Sequence, residues 1–115
     1  MTAIPERGEV EVVLGEQTYL LRLTIEQGRK VEAEVGPLMA LFASWPQLTM
    51  QQGYTLFRCG VAGGGGKITD TEIDALVDAE GLWPILQAAY GVLTLAMTRP
   101  QKKALEVTPE TEKEN

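Results

Sequence analysis

The sequence predicts an α+β fold: an N-terminal antiparallel β-hairpin followed by a bundle of four to five short α-helices. Residues 9–23 alternate polar and apolar side chains on either side of a Gly15-Glu16 pair. Beyond Thr24, apolar residues recur instead at spacings of three and four. Threonine, glycine and proline stand where helices would begin and end.

The elements follow in order. In "EVEVVL" (9–14), Val10, Val12 and Leu14 fall on one face of a strand and Glu9 and Glu11 on the other. The segment "QTYLLRL" gives a second strand with Tyr19, Leu21 and Leu23 on one side. Glycine at the first loop position suits a two-residue type II′ turn. A lone hairpin is marginal in water, so helices must cover its apolar face.

Thr24 reads as an N-cap, with Gln27 completing a capping box, and its helix runs to about Val35 before Gly36-Pro37. Pro37 opens a short second helix, "PLMALFASW", which Trp45-Pro46 ends. Thr49 and Gln52 repeat the box, and Met50, Tyr54, Phe57 and Val61 form an inward stripe. The glycine run 63–66 breaks that helix and reads as a flexible joint. Thr69 and Glu72 box the next helix, whose inner face is Ile73, Leu76 and Val77 and whose end is Gly81. Pro84 starts the last helix, with Ile85, Leu86, Ala89, Tyr90, Leu93 and Met97 as its stripe. From Thr98 the chain turns polar and loses periodicity. Residues 1–97 are therefore expected to form one compact domain and 98–115 a polar flexible tail, with Ala104, Leu105 and Val107 available to a partner.

Composition narrows the function. Ten basic against sixteen acidic residues give a net charge of −6, which repels phosphate backbones, so no nucleic-acid partner is expected. The chain has no histidine, which removes the commonest general base and metal ligand together. Its one cysteine, Cys59, cannot form an internal disulfide, and it cannot build a zinc site without histidine. A reducing cytoplasm is the simplest setting. No apolar run approaches the roughly 18 to 20 residues that span a bilayer, and the N-terminus lacks a secretion-signal pattern. No membrane contact is expected.

The stretch "GVAGGGGKITD" invites a phosphate-loop reading. Such a loop needs glycine six residues before the lysine, where Val61 stands, and a hydroxyl directly after it, where Ile68 stands. A helical stripe, not a strand, precedes it. The reading fails, and neither nucleotide nor other cofactor is expected. The carboxylates Asp70, Glu72, Asp74, Asp78 and Glu80 lack Ca²⁺-loop spacing and read as a solvated helix face, so no metal is expected. Cys59 reads as a small buried apolar residue. Trp45 and Trp83, each before a proline at a helix boundary, read either as core plugs or as interface anchors.

The order of these pieces resembles one family. The hairpin "RGEVEVVLGEQTYLLRL" supplies Gly8-Glu9-Val10, Leu14-Gly15, Tyr19 and Leu21. The segment "KITDTEIDALVDAEGL" supplies Thr69-Asp70, Glu72-Ile73, Leu76-Val77 and Gly81-Leu82. From Arg7 to Met97 the chain is similar to the small tail-assembly proteins of gene transfer agents and related siphophages. These are labelled in some schemes as tail tube proteins and in others as tail assembly chaperones. The resemblance implies a helper of long non-contractile tails that binds the tape measure protein and tail tube subunits until the tube polymerises. It implies a place in the bacterial host cytoplasm and absence from the finished particle. The alternative is a structural tail (tube) component. The hairpin's few strand residues weigh toward the chaperone, and self-association stays open.

Neither motif is catalytic, so no enzyme is expected and no catalytic residue is assigned. The expected partner-binding region is the middle of the chain. Leu38, Met39, Leu41, Phe42 and Trp45 carry more apolar surface than one face of a nine-residue helix hides. A helix buried all round accounts for the same residues equally well.

Overall fold

The structure is a computed structural model that describes residues 3–98. A single 3-10 turn, Pro5–Arg7, leads into β1 (Glu9–Leu14) and β2 (Gln17–Arg22). Five helices follow: α1 (Ile25–Val35), α2 (Leu38–Ala43), α3 (Met50–Gly63), α4 (Asp70–Glu80) and α5 (Leu82–Met97). This is the α+β architecture the sequence predicts, with five helices. Among the described residues no helix is long and apolar enough to cross a membrane.

The hairpin register pairs Val10 with Leu21, Val12 with Tyr19 and Leu14 with Gln17. It gathers the alternating apolar residues onto one face. Gly15 takes φ +64°, as a primed turn requires at its first position. Glu9 departs from its expected place on the polar face. It is 7% exposed, because the 3-10 turn folds back over it. Its carboxylate accepts the Ile4 N–H at 2.9 Å and pairs with Arg7 at 3.5 Å.

The helix punctuation is largely as read, with local differences. Thr49 and Thr69 form complete capping boxes with Gln52 and Glu72. Thr24 accepts the Gln27 N–H at 3.2 Å, but the Gln27 side chain does not reciprocate. Pro37 is the N-cap of α2 rather than its first residue, and the helix closes at Ala43, where the Ser44 hydroxyl turns back to the Leu41 carbonyl. Gly81 alone separates α4 from α5, so α5 starts two residues before Pro84. The proline is tolerated there because first-turn N–H groups have no partner inside the helix.

Helix α3 is the centre of the molecule, packed against β2, α1 and α5. Phe57, Leu56, Leu21, Val31, Ile73, Ile85, Val92 and Leu93 are all fully buried around it. The stripe read for α3 was too narrow. Thr55, Leu56, Cys59 and Gly60 are buried as well, because neighbours press on three sides. Met50 is the exception, 51% exposed at the first turn, before the helix enters the core. Burial pushes the Cys59 thiol pKa up, which keeps it protonated and inert.

The glycine run does more than join two helices. Gly64, Gly65 and Gly66 all donate their amides to carbonyls of the last turn of α3. Gly65 to Ala62 and Gly66 to Val61 are the paired bonds of a Schellman cap, with Gly65 at φ +97°. Residues Gly63 and Gly64 lie against the carbonyls of Arg22 and Leu20 so closely that a Cβ at either position would overlap the oxygen. In a two-residue hairpin those alternate carbonyls point away from β1. The end of α3 therefore covers the outer edge of β2, a device that blocks unwanted strand pairing.

Because these amides are already bonded, none is free to cradle phosphate. ATP or GTP is expected to leave the melting temperature unchanged, since a ligand bound only by the folded state must raise it. A saturable rise abolished by Lys67→Ala would contradict this.

Helix α5 ends at Met97, with Thr98 as its C-cap. The tail proper, 99–115, with Ala104, Leu105 and Val107, lies outside the described residues.

Candidate partner-binding surface

The five residues singled out in the middle of the chain separate into three environments. Leu41 is 2% exposed and belongs to the core, so it is not available to a partner without unfolding α2. Leu38 is half-buried against Gly28 of α1, where the added Cβ of an alanine would meet it at 3.4 Å. Met39 is 64% exposed. Phe42 and Trp45 are half-buried and enter an aromatic stack.

That stack joins α2 and the connection after it to α5. Trp83 and Tyr90 are seven residues apart on α5 and so lie on one face, two turns apart. Trp45 packs on both, with ring centroids 5.5 Å from Trp83 and 4.4 Å from Tyr90. Phe42 also stacks on Tyr90, with centroids 5.8 Å apart and planes tilted by only 10°. The result is a four-ring row, Phe42–Tyr90–Trp45–Trp83. Each such contact contributes about 0.5–1.5 kcal/mol beyond area burial. The row ends in Trp83, 53% exposed, with Phe42, Trp45 and Tyr90 only partly covered.

The tryptophans thus join the connection after α2 to α5 and leave part of their ring surface at the exterior. Sequence reading assigned Tyr90 to the inner stripe of α5 and did not connect it to Phe42. The spacing of seven between Trp83 and Tyr90 was the available signal.

A concavity of about 660 Å³ adjoins the other end of α2 at Leu38. Leu23, Ile25 and Ala96 line it together with Arg22, Arg29, Glu26 and Glu32. Its charges are mixed, and the Thr24 hydroxyl on its wall is engaged in capping α1.

Two carboxylates of α4, Asp70 and Asp74, have partners on α3. Asp70 accepts from Arg58 at 2.6 Å, and Arg58 also holds Glu34 of α1 at 2.5 Å. Burial alone pulls the Arg58 pKa down, but the hydrogen bonds to Glu34 and Asp70 outweigh it and leave the guanidinium above its ordinary value. Asp74 accepts the Tyr54 hydroxyl at 2.6 Å, and Glu72 completes its capping box. Among the described residues there is no group of three or more Asp, Glu, Cys or His side chains placed to hold a metal ion.

The bond to Asp74, helped by burial, pushes the Tyr54 pKa up to about 12 from 10.0. The folded state thus favours the neutral phenol. This contribution is fully present below the unfolded pKa and is lost as pH rises from about 10 towards 12. Wild type should lose its melting-temperature advantage over Tyr54→Phe between about pH 9 and pH 12. A difference that stays constant across that window would show the hydrogen bond is absent.

Residues 7–99 match the family model described as phage tail tube protein, GTA-gp10. No curated protein and no solved structure matches the chain significantly.

Proposed function

The chain belongs to the phage tail tube protein, GTA-gp10 family, and we propose that it works as a tail assembly chaperone-like protein. In this reading it holds apolar segments of the tape measure protein and the tail tube protein in the host cytoplasm while a long non-contractile tail is built. It does so by surface complementarity, without catalysis, metal or cofactor. The observation that carries the reading is the partly exposed aromatic row with Met39 beside it. Trp, Tyr and Met surfaces are the kind that anchor partners and adapt to several of them.

The second reading, a structural component of the tail tube, is favoured by the family's description. Against it stands the sheet. A subunit that joins neighbours by sheet extension in a ring needs two free edges. The only sheet among the described residues has two strands, and the end of α3 covers the outer edge of β2.

Co-expression with the neighbouring tail genes tests the proposal. The tape measure protein is expected to co-purify with wild type and to be lost with Met39→Ser/Trp83→Ser. Both side chains are more than half exposed, so the variant should stay folded by circular dichroism, with a melting temperature lowered by the loss of the Trp45–Trp83 contact, about 0.5–1.5 kcal/mol beyond area burial. Retained capture by the variant would move the site elsewhere. Stoichiometric amounts of the chain in purified particles would establish the structural reading instead.

A further inference from the structure

The charges of the molecule are segregated around the aromatic row. Helices α2, α4 and α5 and the connection 44–49 contain no lysine or arginine. Helix α4 carries five carboxylates, of which Asp70, Glu72 and Asp74 have the partners described above. Asp78 and Glu80, both exposed, accept no hydrogen bond or ion pair among the described residues. They occupy the last turn of α4, one residue short of the helix that presents Trp83. The Glu80 carboxylate lies beside Gly15 in the hairpin turn, next to the exposed Glu16. Asp78 and Glu80, unneutralised among the described residues, thus stand five and three residues before Trp83 in the chain, at the Trp83 end of the row.

We propose that the segment held on this row is an amphipathic α-helix whose apolar stripe is flanked by lysine or arginine. The inference rests on the partner-holding reading above and names the chemistry of the partner. Three features argue for it. Trp83, at the end of the row, is 53% exposed, and an exposed indole face attracts cations through the ring quadrupole. Asp78 and Glu80 attract the same cations, and no basic side chain of α2, α4 or α5 repels them. Trp83 and Tyr90 stand two turns apart on one face of α5 with Trp45 packed on both, so the ring surface runs along the helix axis and suits the long apolar stripe of a docked helix. A docked helix with acidic flanks would place like charges against Asp78, Glu80 and Glu16.

Trp45 and Trp83 are the only tryptophans of the chain, so their fluorescence reports on the row directly. The intact protein is titrated with three synthetic peptides of about 18 residues, long enough to form helix. One has a leucine stripe with lysine flanks, one the same stripe with glutamate flanks, and one the lysine composition with the stripe scrambled. The lysine-flanked stripe should bind at least about tenfold tighter than either other peptide and weaken with added salt. Asp78→Asn/Glu80→Gln should weaken it severalfold and flatten the salt dependence. Equal binding of the glutamate peptide, or of the scrambled one, overturns the inference, as does an unchanged affinity in the double variant. If the lysine peptide binds as described but no tail protein is captured in the co-expression test, the functional reading falls while this inference stands. If a tail protein is captured through a segment without basic flanks, the reverse holds.

Discussion

Replacing Phe57 by alanine is expected to destabilise the protein by about 3–5 kcal/mol, the range for emptying a large buried aromatic site. Phe57 is 0% exposed near the middle of α3, and its ring meets Tyr19 of the hairpin edge-on at 5.8 Å. The contact is where the apolar face of β2 meets the central helix, so the loss removes both transfer energy and a sheet–helix contact. Because α3 packs on three neighbours, no single element can move to fill the cavity. Met50 supplies the control. It shares the periodic stripe of Phe57 in the sequence but is 51% exposed, so Met50→Ala should change stability by no more than about 0.5 kcal/mol. Chemical denaturation of the two variants decides the matter. Comparable losses would mean that α3 is rotated or shifted from the placement described.

Gly63→Ala is expected to cost about 3 kcal/mol and to lower the melting temperature by more than about 10 °C. The direction runs against helix propensity, which favours alanine over glycine by about 1 kcal/mol within a helix. The loss comes from the Arg22 carbonyl, a backbone group that an added methyl would overlap and that cannot turn aside without bending β2. Gly53→Ala, in the same helix, is the comparison. There the methyl would meet the end of the Leu86 side chain, which can change rotamer. The Gly53 variant should therefore lose clearly less than the Gly63 variant. If Gly63→Ala melts at or above wild type, the end of α3 does not rest on the edge of β2.

The two residues show why one part of this fold was legible in advance and another was not. The hairpin register, the positive φ of Gly15 at its turn and the threonine N-caps at 24, 49 and 69 were legible because each is a local device. A cap joins a side chain to an N–H three residues on, and a two-residue turn fixes the register of the strands that flank it. The family too was legible, since the hairpin and the Thr69–Leu82 segment carry it and the match covers residues 7–99.

Burial around α3 was not, because periodicity describes a helix with one covered face, and this one is covered on several. The same limit applies to the glycine run. As letters, four glycines signal freedom of the backbone; in the fold, one supplies the left-handed cap and two permit contact with β2 carbonyls more than forty residues earlier. The candidate surface divides along the same line. Sequence alone located the apolar excess of 38–45 and the absence of histidine, but it could not separate buried Leu41 from exposed Met39. Only the docking of α2 on α5 brought Phe42 and Trp45 onto Tyr90 and Trp83 and left the four rings partly exposed. Propensity, capping and turn chemistry act within about four residues, whereas which apolar side chains remain uncovered is set by how many neighbours the whole chain brings against each helix.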